Sequence, residues 1–257
     1  MASGLPAAFK KSVANSRWEY RRLGNSGLKV SVPIFGCMNF GYPTSLLYSI
    51  PEEQDTANRY PKGASEVIVG KALKKYGIPS EKVIIMTKCF WCVGEQYEIR
   101  HIFNHEEFEA SKDYVNQFHL SRTAIFNQVN ASFKRLNTDC IDVLHIHRFD
   151  YDTPLEETMK ALHDLAESGK VRYIGASSMW ACADKLPGIK FISMQNKYNL
   201  LYREEEREVN RFCNDTGVWP DPSHGTVESD TIIIKRVQTV AKKHNWNMTH
   251  VALAWMD

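Results

Sequence analysis

Four short, largely apolar segments, Val83–Met86, Ile141–Ile146, Val171–Gly175 and Phe191–Met194, set the main constraint on the fold. Val83–Met86 is an uninterrupted apolar run of the kind buried on both faces of a parallel sheet, and the other three read as further strands. Helical spacing fills much of the chain around them, and strands alternating with helices imply βαβ units. Two architectures dominate that class, the doubly wound sheet and the barrel. A doubly wound dinucleotide site needs Gly-x-Gly-x-x-Gly after a strand, and the sequence has none. It has no Tyr-x-x-x-Lys pair either. The 257 residues fit one barrel, for which about 250 is typical.

Residues 1–17 are expected to be a disordered tail, leaving 18–257 as a single barrel domain. A hairpin is expected around Glu19–Phe35, turning at Gly24-Asn25-Ser26-Gly27. Val67, Ile68, Ala72 and Leu73 have helical spacing from Ser65 onward, and Gly77 with Pro79 stops that helix. Residues 91–119 read as a long loop. Ser121 can cap a helix running to about Leu136, Thr153-Pro154 opens another, and Gly169 ends it. Glu204–Cys213 reads as helical. Asp230 is expected to cap a helix with Ile233, Val237, Val240 and Ala241 on one face, and a last helix begins near Asn247.

In a barrel, chemistry collects where strands end, at the C-terminal face. Here those ends are polar. The first run leads into Lys88, the second into His147, the third into Ser177-Ser178 and the fourth into Gln195-Asn196. Each type has an ordinary structural use alone, but a barrel brings all of them to one face.

With these positions in view, the chain is identified as resembling the aldo-keto reductases. Glu19–Ser31 and Phe35–Gly41 are similar to the family's opening segments. Asp55-Thr56-Ala57-Asn58-Arg59-Tyr60, with Gly63 and Ser65-Glu66 after it, resembles the Asp-Thr-Ala…Tyr motif. Met86-Thr87-Lys88-Cys89 and Ile146-His147-Arg148 match the other catalytic positions. Gly169–Ser178 and Met194–Asn199 match cofactor segments. The nearest flavour is the fungal branch of aryl-alcohol dehydrogenases and norsolorinic-acid reductase-like enzymes of secondary metabolism.

The resemblance implies a (β/α)8 TIM barrel that reduces an aldehyde or ketone with NADPH. It assigns Tyr60 as proton donor, with Lys88 and Asp55 tuning and holding it, and His147 orienting the carbonyl oxygen. It assigns Asp55, Ser177, Ser178, Gln195 and Asn196 to the cofactor. Trp91 and Trp180, on loops at the C-terminal face, are candidates for the wall of a bulky substrate pocket, suited to a polyketide- or terpenoid-like compound.

The chain also departs from the pattern. Only Tyr42–Gln54, with two prolines, stands where the family has a helix and a strand before the aspartate. After Val218, Trp219–Gly225 leads almost directly to the next helix. The family's last strand and adenosine-phosphate segment would follow Asp257. The barrel is therefore expected to be incomplete, and a non-catalytic or weakly active binding or regulatory protein stays open as an alternative.

A remoter alternative is a metal-dependent barrel hydrolase. His145-Ile146-His147 puts two rings on one strand face, but no later strand-end His and Asp completes a metal site, so no metal is expected. Cys89-Phe90-Trp91-Cys92 has redox spacing but no helix start to lower a thiol pKa. The six cysteines are scattered in a chain too long to need a disulfide framework, so they read as reduced and the protein as cytoplasmic. With 32 basic against 30 acidic residues, charge gives no reason for a nucleic-acid or membrane partner. Composition leaves the oligomeric state open.

Overall fold

The computed structural model describes residues 10–11, 13–14, 18–37, 63–94, 105–177, 189–196, 199, 202–204, 213, 215–216, 219–222 and 228–256. Most of the expected 1–17 tail, the 42–54 segment and most of the expected Glu204–Cys213 helix lie outside these residues.

The chain opens with an antiparallel hairpin, β1 (Glu19–Arg22) and β2 (Lys29–Val32), paired Glu19 to Val32 and Arg22 to Lys29. Its turn lies where the Gly-Asn-Ser-Gly sequence puts it. Leu23 N–H donates to Leu28 O at 2.8 Å, and Ser26 Oγ donates to Leu23 O at 2.7 Å. Gly24 adopts φ 59°, a left-handed conformation that costs glycine little.

Five strands form the parallel sheet: β3 (Met86–Cys89), β4 (Ile141–Ile146), β5 (Val171–Ala176), β6 (Phe191–Asn196) and β7 (Trp219–Pro222), adjacent in that order. Helices α1 (Ala64–Lys75), α2 (His105–Ala110), α3 (Arg122–Leu136) and α4 (Leu155–Glu167) precede or link the strands; α5 (Glu228–His244) and α6 (Met248–Met256) follow them. Every residue of β4 is buried, Asp142 and His145 included.

The two faces of the sheet differ. One carries Cys89, Leu144, Ile146, Ile174 and Met194 into a core shared with Ile125 and Val129 of α3 and Met159, Leu162 and Leu165 of α4. The other is apolar only at the N-terminal end of the strands. There Leu23 and Val30 of the hairpin cover Val143, flanked by Met86, Tyr173 and Ile192. Beyond that plug the same face turns polar.

Local chemistry fixes the helix ends. Ser121 Oγ accepts from Ala124 N–H at 3.3 Å, capping α3 as its sequence indicates. Gly169, at φ 72°, ends the segment after α4. Asn247 Oδ1 accepts from His250 N–H at 2.8 Å and caps α6. An internal tie joins α1, β3 and α3. Glu66 accepts from Thr87 Oγ1 at 2.6 Å and from Arg135 Nε at 2.6 Å. Gly70 lets α1 meet α3 closely, since a Cβ there would sit 2.6 Å from Leu136 O.

Four expectations need correction. The ladder of β3 starts at Met86 rather than Val83: Ile85 O still accepts from Asp142 and Val143 N–H of β4 at 3.0 and 3.2 Å, but its own N–H donates to the Asp142 side chain, Oδ2 at 2.7 Å. Lys88 is therefore inside a strand, as are Gln195 and Asn196. Residues 91–119 are not all loop, since α2 buries Phe108 against Phe118 and Tyr114. Trp219–Pro222 is a sheet strand rather than a direct lead into a helix, and α5 begins at Glu228, ahead of Asp230.

Leu162 is fully buried between α4 and the sheet. Leu162→Ala is expected to lower stability by about 2–5 kcal/mol, from lost transfer energy plus the cavity left behind. Urea unfolding of the two proteins checks this. No helix among the described residues is long and apolar enough to cross a membrane.

Candidate active site

The polar part of the inner face is built in layers set by strand register. Lys88 on β3 is the Cα partner of His145 on β4, which is the partner of Gly175 on β5. Gly175 is in turn the partner of Ser193 on β6. Side chains alternate along a strand, so the next inward positions are His147, Ser177 and Gln195. These three lie at neighbouring strand ends, one residue beyond the Ile146–Ala176–Met194 row.

His147 sits just past β4. Its N–H donates to Cys89 O at 2.9 Å, continuing the ladder by one residue and fixing the ring beside β3. Trp91 meets that ring edge-on, with centroids 6.4 Å apart and planes at 85°. Burial, then the Lys88 charge, then Arg148 push the His147 pKa down to about 3. A ring so placed is neutral across the physiological range and keeps one N–H to donate.

His145, one layer deeper, is held neutral in the same way, by burial first, then Lys88 and His147, with a pKa of about 3. Its Nε2 lies 2.8 Å from Ser193 Oγ. Thus the Lys88 charge is felt at both rings, which places the three groups in one electrostatic cluster. Ser177 and Asn196 are buried and Gln195 is partly buried.

Lys88, His147, Ser177, Gln195 and Trp91 therefore come together as their strand-end positions require. Asn196 occupies the last position of β6, beside them in sequence but on the alternate side of the strand by phase. Asp55, Tyr60, Ser178 and Trp180 lie outside the described residues. The sequence reading weighed His145 only as part of a metal site that it set aside, and passed over Ser193. The signal was the two-residue spacing of His145 and His147, which puts both on one strand face.

The buried pair has a consequence for folding. Both histidines bind protons more weakly folded than at the ordinary value of 6.5. Between about 6.5 and 3 the unfolded chain holds more protons, so stability falls as pH drops through that window. Urea midpoints between pH 7 and 4.5 should show this slope, and His147→Gln should flatten it.

Two other arrangements carry less chemistry. Burial raises the Cys89 thiol to about 12 and Cys92 to about 11, so both are protonated and unreactive. Among the described residues, donor atoms of His119, Asp150 and Asp152 lie within 4.8 Å of one another. Asp150 spends its oxygens on Leu120 N–H, Thr153 Oγ1 and Asp152 N–H, which brace the loop.

The aldo/keto reductase family profile matches residues 54–220. The aldo-keto reductase AMT2 of Alternaria alternata is 45% identical, covering 98% of this chain and 84% of that protein. An aldo-keto reductase of Fusarium vanettenii is 43% identical with the same coverage. The versiconal hemiacetal acetate reductase of Aspergillus parasiticus is 42% identical over 92% of this chain and 84% of its own. The first two alignments span 310 and 311 positions, more than the 257 residues here, so those relatives carry internal segments without a counterpart in this chain.

Among solved structures, the thermostable aldo-keto reductase Tm1743, in complex with the inhibitor epalrestat, matches with a TM-score of 0.68. It covers 92% of this chain and 84% of that one at 22% identity, which shows a common fold. The described strands are thus five adjacent strands of an incomplete TIM barrel. On the extent of these matches, the chain belongs to the aldo/keto reductase family of carbonyl-reducing oxidoreductases.

Proposed function

We propose that this chain reduces an aldehyde or ketone to an alcohol with NADPH, on a bulky secondary-metabolite intermediate of polyketide or terpenoid character. The observation that carries the reading is the convergence of Lys88, His147, Ser177 and Gln195 at adjacent ends of β3 to β6 in a chain of this family.

The residues fit a nicotinamide. Ser177 and Gln195 offer a hydroxyl and an amide at neighbouring strand ends, neutral donors and acceptors suited to a carboxamide. Ser178 would extend that set, whereas Asn196, on the alternate side of β6, would not reach it. When bound, the reduced nicotinamide supplies hydride to the carbonyl carbon. As negative charge develops on the carbonyl oxygen, His147 donates an N–H to it and Tyr60 delivers the proton. A free phenol has a pKa of about 10, too high for easy transfer near neutrality. The Lys88 ammonium lowers that barrier by stabilising phenolate, and Asp55 pairs with Lys88 and contributes to the cofactor site. Trp91, edge-on to His147, and Trp180 wall the substrate.

The name of the Aspergillus relative, a reductase of versiconal hemiacetal acetate, supports the substrate class. Titrating the purified chain with NADPH while following tryptophan fluorescence tests the cofactor half of the reading. Saturable quenching is the expected result. A folded chain with no quenching or turnover would favour a non-catalytic role.

A further inference from the structure

Beneath the proposed carbonyl site, three residues make an arrangement that reductase chemistry has not yet used. His145 on β4 reaches over Gly175 on β5 to bond Ser193 on β6, with Nε2 to Oγ at 2.8 Å. The reach depends on a missing side chain. A Cβ at position 175 would lie 2.4 Å from His145 Cδ2, 2.6 Å from its Nε2 and 2.6 Å from Ser193 Oγ. Such approaches do not occur between real atoms, so glycine at 175 is what lets the imidazole cross. On its other side His145 is the register partner of Lys88. The ring is 4% exposed and the Ser193 residue is equally buried. A buried polar pair is retained at a cost unless its hydrogen bonds are satisfied, and here each satisfies the other.

We propose that His145, locked across Gly175 onto Ser193, is a positioning residue for Lys88, giving its ammonium a polar, uncharged flank below the reacting carbonyl. This rests on the reductase reading above. A fixed neutral dipole beside a half-buried cation replaces part of its lost water, whereas an aliphatic neighbour leaves that side of the charge poorly solvated. The ring adds no competing charge, since burial and Lys88 keep it neutral to about pH 3. The titratable groups facing Lys88 from β4 are His145 and His147. Asp55 and Tyr60, assigned to the same cluster, lie outside the described residues.

The test compares His145→Leu with His145→Gln in the whole chain, by steady-state kinetics and by NMR of ε-13C-lysine. The Lys88 resonance is identified by its loss in Lys88→Arg. In His145→Leu the Lys88 ε-carbon resonance is expected to move from its wild-type position as the polar flank is lost. Its kcat is expected to fall about tenfold or more, with the KM for NADPH within about threefold. His145→Gln keeps a neutral donor and acceptor within reach of Ser193 and should restore both readouts. An unmoved Lys88 resonance in His145→Leu, or a glutamine variant as impaired as leucine, would overturn the proposal. A wild-type chain without turnover would refute the reductase reading alone, because the Lys88 resonance still decides what His145 does. Should His145→Leu fail to fold, Ser193→Ala cuts the same link and is expected to shift Lys88 in the same direction.

Discussion

Tyr60→Phe is expected to cut carbonyl turnover roughly a thousandfold, the loss that follows removal of a general acid. The substitution deletes one hydroxyl and leaves the ring. NADPH affinity should therefore stay within about threefold, since the phenol acts on the carbonyl oxygen and not on the cofactor. The case for Tyr60 comes from its place five residues after Asp55 in the Asp-Thr-Ala motif, together with Lys88 standing ready on the inner face of β3. Single-turnover and steady-state rates with an aromatic aldehyde check it. A phenylalanine variant within tenfold of wild type would mean that another group delivers the proton.

His147→Leu is the second large effect, with an expected loss of about a hundredfold or more in kcat, the scale for removing one preorganised donor to a developing oxyanion. The backbone hydrogen bond of His147 to Cys89 O is unaffected by the change, so β4 keeps its register. Leucine also preserves an apolar neighbour for Trp91. The loss should be the same at pH 5.5 and pH 8. His147, with a pKa of about 3, is neutral at both and donates through the same N–H. A defect that vanished at one of these pH values would contradict a neutral donor.

Much of the fold was readable because burial and local chemistry agree in the sequence. The Gly-Asn-Ser-Gly turn, the Ser121 cap, the stop at Gly77 and the fully buried β4 run all lie where their residues put them. The start of β3 did not, because apolarity marks burial and not ladder membership. Ile84 and Ile85 precede the strand, and Ile85 N–H is taken by the Asp142 carboxylate. Helix α2 escaped notice because His105–Ala110 has one large apolar residue, Phe108, too few to show a period. Two prolines hid β7. Among the described strands it is one of the two edges, where missing N–H groups need no partner on the open side.

The site was legible to the same degree. Strand-end polarity identified Lys88, His147, Ser177 and Gln195, and parallel register does bring these positions to adjacent strand ends. The layer below was not. The bond from His145 to Ser193 depends on Gly175 lying between them in space, although 48 residues separate the bonded pair in sequence. No periodicity within one strand can reveal a contact that skips a strand.

The central claim is that this chain transfers hydride to a carbonyl. The direct measurement is to incubate the purified wild-type chain with NADPH deuterated at nicotinamide C4 and an aromatic aldehyde, then analyse the alcohol by mass spectrometry. The account predicts a single deuterium on the former carbonyl carbon, from one C4 face only, and no label transfer in Tyr60→Phe on the same timescale. Cofactor-bound, folded protein that yields no deuterated alcohol with any of several aldehydes and ketones would contradict it.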